Sequence, residues 1–274
     1  MTTTKEETKD LSLETSKETD SIEAENPGVV ERPALSAEEV LLLQEMAEAG
    51  LLYGLAKSKT HPEMKSRIFA TRSGTEIINL ENTIKELERA AAFLKSISSS
   101  GKKIIIVGTS PAAKFAAKEF GTKLDLPYVA ERWLGGTLTN FKAIEGRIKY
   151  YNKLLSDKES GALQKYTKKE RVLLDKKIEK MRLLFEGLTK MTGLPGAVLV
   201  LDVQSNKTAI REAHVTNIPV VAIINTDTDP KIADYPVSAN NRLGESVKWI
   251  MNYLEDSLKN VIQVNTVPEK GEKE

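Results

Sequence analysis

The stretch Gly108-Thr109-Ser110-Pro111-Ala112 follows an apolar run and precedes a helical pattern, where a nucleophile or a phosphate loop would sit. A serine nucleophile elbow needs G-x-S-x-G and a backbone N–H after the serine to complete its oxyanion hole. Here the last glycine is missing and Pro111 has no N–H. A phosphate-binding P-loop needs G-x-x-x-x-G-K-[ST]; Lys114 is in place, but Ala113 replaces the second glycine and Phe115 the magnesium-holding hydroxyl. The loop therefore keeps only the weak anion affinity of a helix start. Asp202, Asp227, Asp229 and Asp234 fall at expected strand ends or the loops after them, where clustered carboxylates could hold magnesium. Aspartates after strands and before Pro230 are also ordinary turn and cap residues, and that reading is preferred. His61 and His214 lack an i, i+4 partner, and the chain has no cysteine to complete a zinc site or serve as a thiol nucleophile. No catalysis, metal, cofactor or small-molecule substrate is expected.

The basic residues make the stronger case. Lys57, Lys59, His61, Lys65, Arg67 and Arg72 crowd one loop and hairpin, and Arg132-Trp133 precedes Gly135-Gly136, Asn140 and Lys142. Lysine and arginine on loops suit phosphates, and glycine lets backbone approach closely. These ten residues, from Lys57 to Lys142, are the candidate contacts to a polyanion. A solvated charged face is the competing reading, and Trp133 could equally pack beneath the segment that follows it.

The elements that must position these residues alternate. A capping pattern at Ser36 and Glu39 opens a helix through Ala49, ended by Gly50. Segments 68–72 and 75–79 flank Ser73-Gly74 as a β-hairpin, and a helix over 81–98 follows with Ile84, Leu87, Ala91 and Leu94 inward. Residues 103–108 form a wholly apolar strand, typical of one buried on both faces of a parallel sheet. A helix over 111–120, strands over 127–130, 197–202 and 219–224, a helix over 207–216, a weak strand over 235–237 and a helix over 243–258 complete the pattern. This is an α/β chain with a doubly wound parallel sheet of about five strands.

Residues 140–190 break the rhythm. Ile144, Ile148, Tyr151 and Leu155 recur at helical spacing, as do Leu174, Ile178, Met181, Phe185 and Leu188 after a Thr167/Glu170 capping box. A narrow apolar seam among charges predicts an inserted antiparallel helical hairpin, a coiled-coil arm projecting from the sheet. Its cations Arg147, Lys149, Lys176 and Arg182 are the candidate contacts to partner proteins. The α/β domain then comprises 35–139 and 191–260.

The formal net charge of +1 hides a segregation. Residues 1–34 carry 9 acidic and 4 basic side chains and few core formers, so a disordered acidic extension is expected. Residues 142–190 carry 14 basic and 7 acidic ones. Such separation favours a polyanionic partner over a small substrate. Residues 261–274 are expected to be a disordered tail. No apolar run approaches the roughly 20 residues of a membrane span, no secretory signal is expected, and the lack of cysteine fits a reducing cytoplasm.

At Arg132-Trp133-Leu134-Gly135-Gly136-Thr137-Leu138-Thr139-Asn140 the chain resembles the small-subunit ribosomal protein family conventionally numbered two. His61-Pro62-Glu63-Met64, Ile77-Ile78-Asn79-Leu80-Glu81, Gly193-Leu194-Pro195, Arg211-Glu212-Ala213 and the run from Ile218 to Pro230 extend the likeness, which covers about 36–258. The resemblance implies a flavodoxin-like sheet with a protruding helical hairpin and no catalysis. It also implies a site on the cytoplasmic ribosome between head and body of the small subunit. The implied partners are small-subunit ribosomal RNA and neighbouring proteins, including the large messenger-RNA-capturing protein numbered one. One departure stands out: where the bacterial family carries histidine-phenylalanine-glycine-histidine, this chain has Leu52-Tyr53-Gly54-Leu55, so nothing those histidines provide elsewhere transfers. The alternatives are a nucleotide- or phosphosugar-binding enzyme and a protein-docking module without RNA contact.

Overall fold

The computed structural model describes residues 37–265, side chains of 38 and 260–265 excepted. The expected Ser36 cap and the acidic extension lie outside the described residues, as does the tail beyond 265. Five parallel strands form the main sheet: β4 (Ile104–Val107), β5 (Tyr128–Val129), β6 (Ala197–Val200), β7 (Val220–Ile224) and β8 (Tyr235–Ser238), in the order β5-β4-β6-β7-β8. Ile104 pairs with Ala197, Val198 with Val220 and Val221 with Tyr235. With the first strand inside and its successor at the edge, this is the doubly wound, flavodoxin-like order.

Every residue of β4, β6 and β7 is buried, which explains the unbroken apolar runs. Side chains alternate between two cores. Ile104, Ile106, Leu199, Leu201, Val221 and Ile223 face one core with helices α1 (Ala37–Glu48), α2 (Leu80–Ser99), α3 (Pro111–Lys123) and α7 (Gly244–Asn265). Ile105, Val107, Val198, Val200, Val220 and Ala222 face the other. That second face is covered by α6 (Lys207–Val215) and by the inserted helices α4 (Phe141–Glu159) and α5 (Lys168–Phe185).

The hairpin is antiparallel. Tyr150 on α4 accepts from Lys177 on α5 at 2.7 Å, and Lys158 pairs with Asp175 at 2.8 Å. The Thr167/Glu170 capping box forms as expected. Ile144, Ile148, Tyr151, Ile178, Phe185 and Leu188 are buried along the seam, with Leu155, Leu174 and Met181 partly buried against it, and Leu154 is buried there as well. These side chains share one cluster with the sheet, so the base of the hairpin is part of the core.

Beside the main sheet stands a small antiparallel one. β2 (Ile68–Arg72) and β3 (Thr75–Ile78) form the expected hairpin, with Ser73 and Gly74 at φ 50° and 77°, the left-handed pair of a type I′ turn. Unexpectedly, β1 (Tyr53–Ala56) adds a third strand against β3. A four-residue strand holding a glycine and a register irregularity offers no alternation to detect. Two further differences concern α2 and α7. Ile84 is only partly buried, while Thr83 and Glu86 of α2 are buried against β8. Helix α7 continues to Asn265, past the expected Leu258 and into the first five residues read as tail, because nothing before Pro268 breaks a helix.

Candidate functional site

Two buried polar side chains hold the two basic loops in place. The first is Thr226, fully buried at the end of β7. Its hydroxyl accepts from the Leu55 N–H at 2.9 Å, and its carbonyl accepts from the His61 N–H at 2.8 Å. The loop carrying Lys57 and Lys59 is thus tied down at both ends by one residue. Gly54 allows this approach: a Cβ there would lie 2.6 Å from the Thr226 methyl. A short 3-10 helix, Pro62–Arg67, follows and sinks Met64 into the second core.

The second anchor is Glu212 on α6, 8% exposed. Its Oε1 accepts from Trp133 Nε1 at 3.0 Å and the Gly136 N–H at 2.9 Å. Its Oε2 accepts from the Leu138 N–H at 3.0 Å and, more weakly, from the N–H and hydroxyl of Thr139 at 3.4 Å. One carboxylate therefore gathers the whole turn from Trp133 to Thr139. Burial pushes its pKa up, but the bonds from Trp133, Gly136, Leu138 and Thr139 together outweigh this and hold it below the ordinary 4.5. Arg132 precedes this fixed turn, and Asn140 and Lys142 follow it, so all three leave the fold from a rigid base. Met64, Trp133 and Leu138 belong to the same buried cluster, so both loops close over one face of the sheet.

The expected contact residues divide accordingly. Lys57, Lys59, Lys65, Arg72, Arg132, Asn140 and Lys142 are exposed, and the cations among them have no ion-pair partner among the described residues. Trp133 is different. It is 7% exposed with its N–H bonded to Glu212, so its ring is committed to packing beneath the segment that follows it, the other reading the sequence allows. Arg67 is also committed elsewhere. Its Nε bonds Glu86 Oε1 at 2.7 Å, while Glu86 Oε2 accepts from the Ser238 N–H at 2.7 Å, so the pair joins the end of the 3-10 helix and α2 to β8. His61 is half-buried and its Nδ1 accepts from the Glu63 N–H, which makes it a helix cap. Arg67→Ala is expected to destabilise the fold by about 1–3 kcal/mol, leaving a buried carboxylate without its cation. Urea unfolding measures this; an unchanged midpoint would contradict the structural assignment.

On the hairpin, Arg147 and Lys176 are exposed and have no ion-pair partner among the described residues. Lys149 pairs with Glu145 at 2.7 Å and Arg182 with Glu179 at 2.8 Å along their own helices. Sequence reasoning missed the roles of Glu212, Thr226 and Glu86. One signal for Glu212 was readable: it lies on the same stripe of α6 as buried Ala209, Ile210 and Ala213, where a carboxylate needs donors.

The crevice at the C-terminal strand ends, about 310 Å³ and lined by Ser110, Pro111, Asp202, Gln204, Asn241 and Arg242, is where this fold type places ligands. Its chemistry does not suit a phosphate. Asp202 presents a carboxylate already filled by the Gln204 N–H, the Asn241 amide and, at 2.5 Å, the Ser205 hydroxyl. Asp229 caps the turn at Lys231, and Asp234 accepts from the Val220 N–H. Among the described residues, no group of three His, Cys, Asp or Glu could hold a metal ion.

Residues 46–260 match the family described as Ribosomal protein S2. The chain is 36% identical over 216 residues to the small ribosomal subunit protein uS2 of Karelsulcia muelleri (strain GWSS), covering 79% of this chain and 97% of that one. It is 37% identical over 219 residues to the uS2 protein of Coprothermobacter proteolyticus, covering 80% and 82%. A third relative, the uS2 protein of Mesoplasma florum, is 37% identical over 224 residues, covering 82% and 84%.

Proposed function

The chain belongs to the ribosomal protein S2 family, a structural and non-enzymatic constituent of the small subunit of the cytoplasmic ribosome, and from that premise we propose that it grips ribosomal RNA through its two pinned basic loops. The observation that carries this reading is the pairing of exposed, unneutralised cations with buried anchors. Lys57 and Lys59 lie in the loop that Thr226 ties at Leu55 and His61, Lys65 lies in the 3-10 helix after it, and Arg132 and Lys142 flank the turn held by Glu212. Fixing the backbone in advance spares ordering entropy on binding, while the free cations remain available for phosphate. RNA shape rather than sequence does most of the selecting.

In the same reading, the hairpin over 140–190 projects as an arm from the body formed by 35–139 and 191–260. Its contacts are to protein neighbours, among them the messenger-RNA-capturing protein numbered one. Arg147 and Lys176 offer free charge for this, and exposed Leu173 and Leu183 on α5 offer apolar surface. Lys149 and Arg182 take part only by exchanging their intrahelical partners.

The test is rebinding to small subunits depleted of this protein, measured against salt. Each lost phosphate contact lowers the slope of log K on log salt by about 0.7–0.9, so replacing Lys57, Lys59 and Lys65 by Gln is expected to lower it by about 2. A slope equal to that of the unaltered chain would exclude those three residues from the grip.

A further inference from the structure

The outward face of the small sheet carries a feature that phosphate contacts leave unused. Tyr53 on β1 stands opposite Ile77 on β3, which stands opposite Ala70 on β2. Residues directly opposite each other across strands share a face. The next row, two residues along β3 and so about 7 Å away, is Ala56, Thr75 and Arg72. The intervening β3 residue, Glu76, is buried on the opposite face, as is Ile78, so these two rows point outward. Tyr53 is 52% exposed, and Phe69 at the other edge is 66% exposed. Around Tyr53 the outward positions are filled by the half-buried Ile77, two alanines, a threonine and Arg72, so the exposed ring has room around it.

From this placement we infer that Tyr53 is a stacking platform for an unpaired base of ribosomal RNA, with Arg72 neutralising an adjoining phosphate. The inference rests on the RNA-binding reading above and names a contact within it. Charge complementarity selects the occupant. Arg72 is exposed and has no ion-pair partner among the described residues. Lys57 adjoins it, its N–H bonded to the Gly74 carbonyl in the hairpin turn. A protein strand or helix would gain little from Ala56, Ala70, Thr75 and the half-buried Ile77, which together offer small apolar area. A base needs only a planar ring and room to reach it, and a guanidinium suits its phosphate.

Rebinding of the full chain to small subunits depleted of it tests this, using Tyr53→Leu, Tyr53→Phe and Arg72→Gln, alongside ultraviolet crosslinking of the unaltered chain in the reassembled particle. Leucine keeps apolar bulk but not the plane, so Tyr53→Leu is expected to bind tenfold or more weakly at an unchanged salt slope, while Tyr53→Phe stays within about threefold. Arg72→Gln is expected to lower the salt slope by about 1. The peptide containing Tyr53 is expected to crosslink to a nucleotide. Equal binding by Tyr53→Leu and the unaltered chain would overturn the stacking contact. If Arg132 and Lys142 variants were still impaired in that case, the RNA reading would survive it. A crosslink from Tyr53 to a protein neighbour would overturn it as well, and that result needs no variant.

Discussion

Glu212→Ala is expected to lower the melting temperature by about 10 °C. Alanine leaves Trp133 Nε1 and the N–H groups of Gly136 and Leu138 without the carboxylate that now accepts them. A buried donor without a partner costs about 1–3 kcal/mol, and water entering the vacated space recovers part of that, so a total near 3 kcal/mol is reasonable. At roughly 2–4 °C per kcal/mol for a chain of this size, the shift follows. Calorimetry measures it, and a change under 2 °C would show that the turn holds itself together without Glu212.

The same residue sets a pH dependence. Its folded pKa lies below the ordinary 4.5, so the ionised form is bound more favourably in the folded chain than in the unfolded one. That contribution is fully present above the unfolded value and is lost as pH falls from about 4.5 through the lower folded value. Glu212→Gln removes the titration, so its stability deficit is expected to shrink as the pH is lowered through this window. A deficit constant with pH would contradict the assigned ionisation. Because Glu212 positions the turn between Arg132 and Lys142, both variants are also expected to weaken subunit rebinding.

The second large effect is on binding rather than folding. Arg132→Glu combined with Lys142→Glu is expected to weaken incorporation into small subunits by roughly 100-fold or more while leaving thermal stability within about 1 kcal/mol. Both side chains are exposed and have no ion-pair partner among the described residues, so the fold loses no salt bridge among them. Each charged contact to phosphate is worth about 1.5–3 kcal/mol, and reversal adds repulsion to its loss. Sedimentation of tagged chains with assembled subunits measures the outcome. Normal incorporation of a well-folded double variant would remove these two residues from the interface.

The scaffold was legible because its signals are local. The apolar run over 103–108 is continuous since β4 is buried on both faces, and the seam of α4 and α5 repeats at helical spacing because each helix buries one stripe. The partners of the anchors were not legible because they are tertiary. Trp133 reads as an aromatic beside an arginine, a pattern suited to RNA, until Glu212 arrives from 79 residues away and turns it inward. Arg67 looks like its neighbours Lys57, Lys59 and Lys65, but only Arg67 finds a buried carboxylate, on a helix 19 residues later. The Leu55 to Thr226 bond spans 171 residues and leaves no trace in local pattern. Charge counts therefore located the basic loops, and burial decided which of their cations are free.

Crosslinking mass spectrometry on intact small subunits most directly tests whether free cations on buried anchors hold the RNA. The expected result is nucleotide adducts on peptides spanning 57–72 and 132–142. Adducts restricted to other surfaces, with those two loops joined only to proteins, would contradict it.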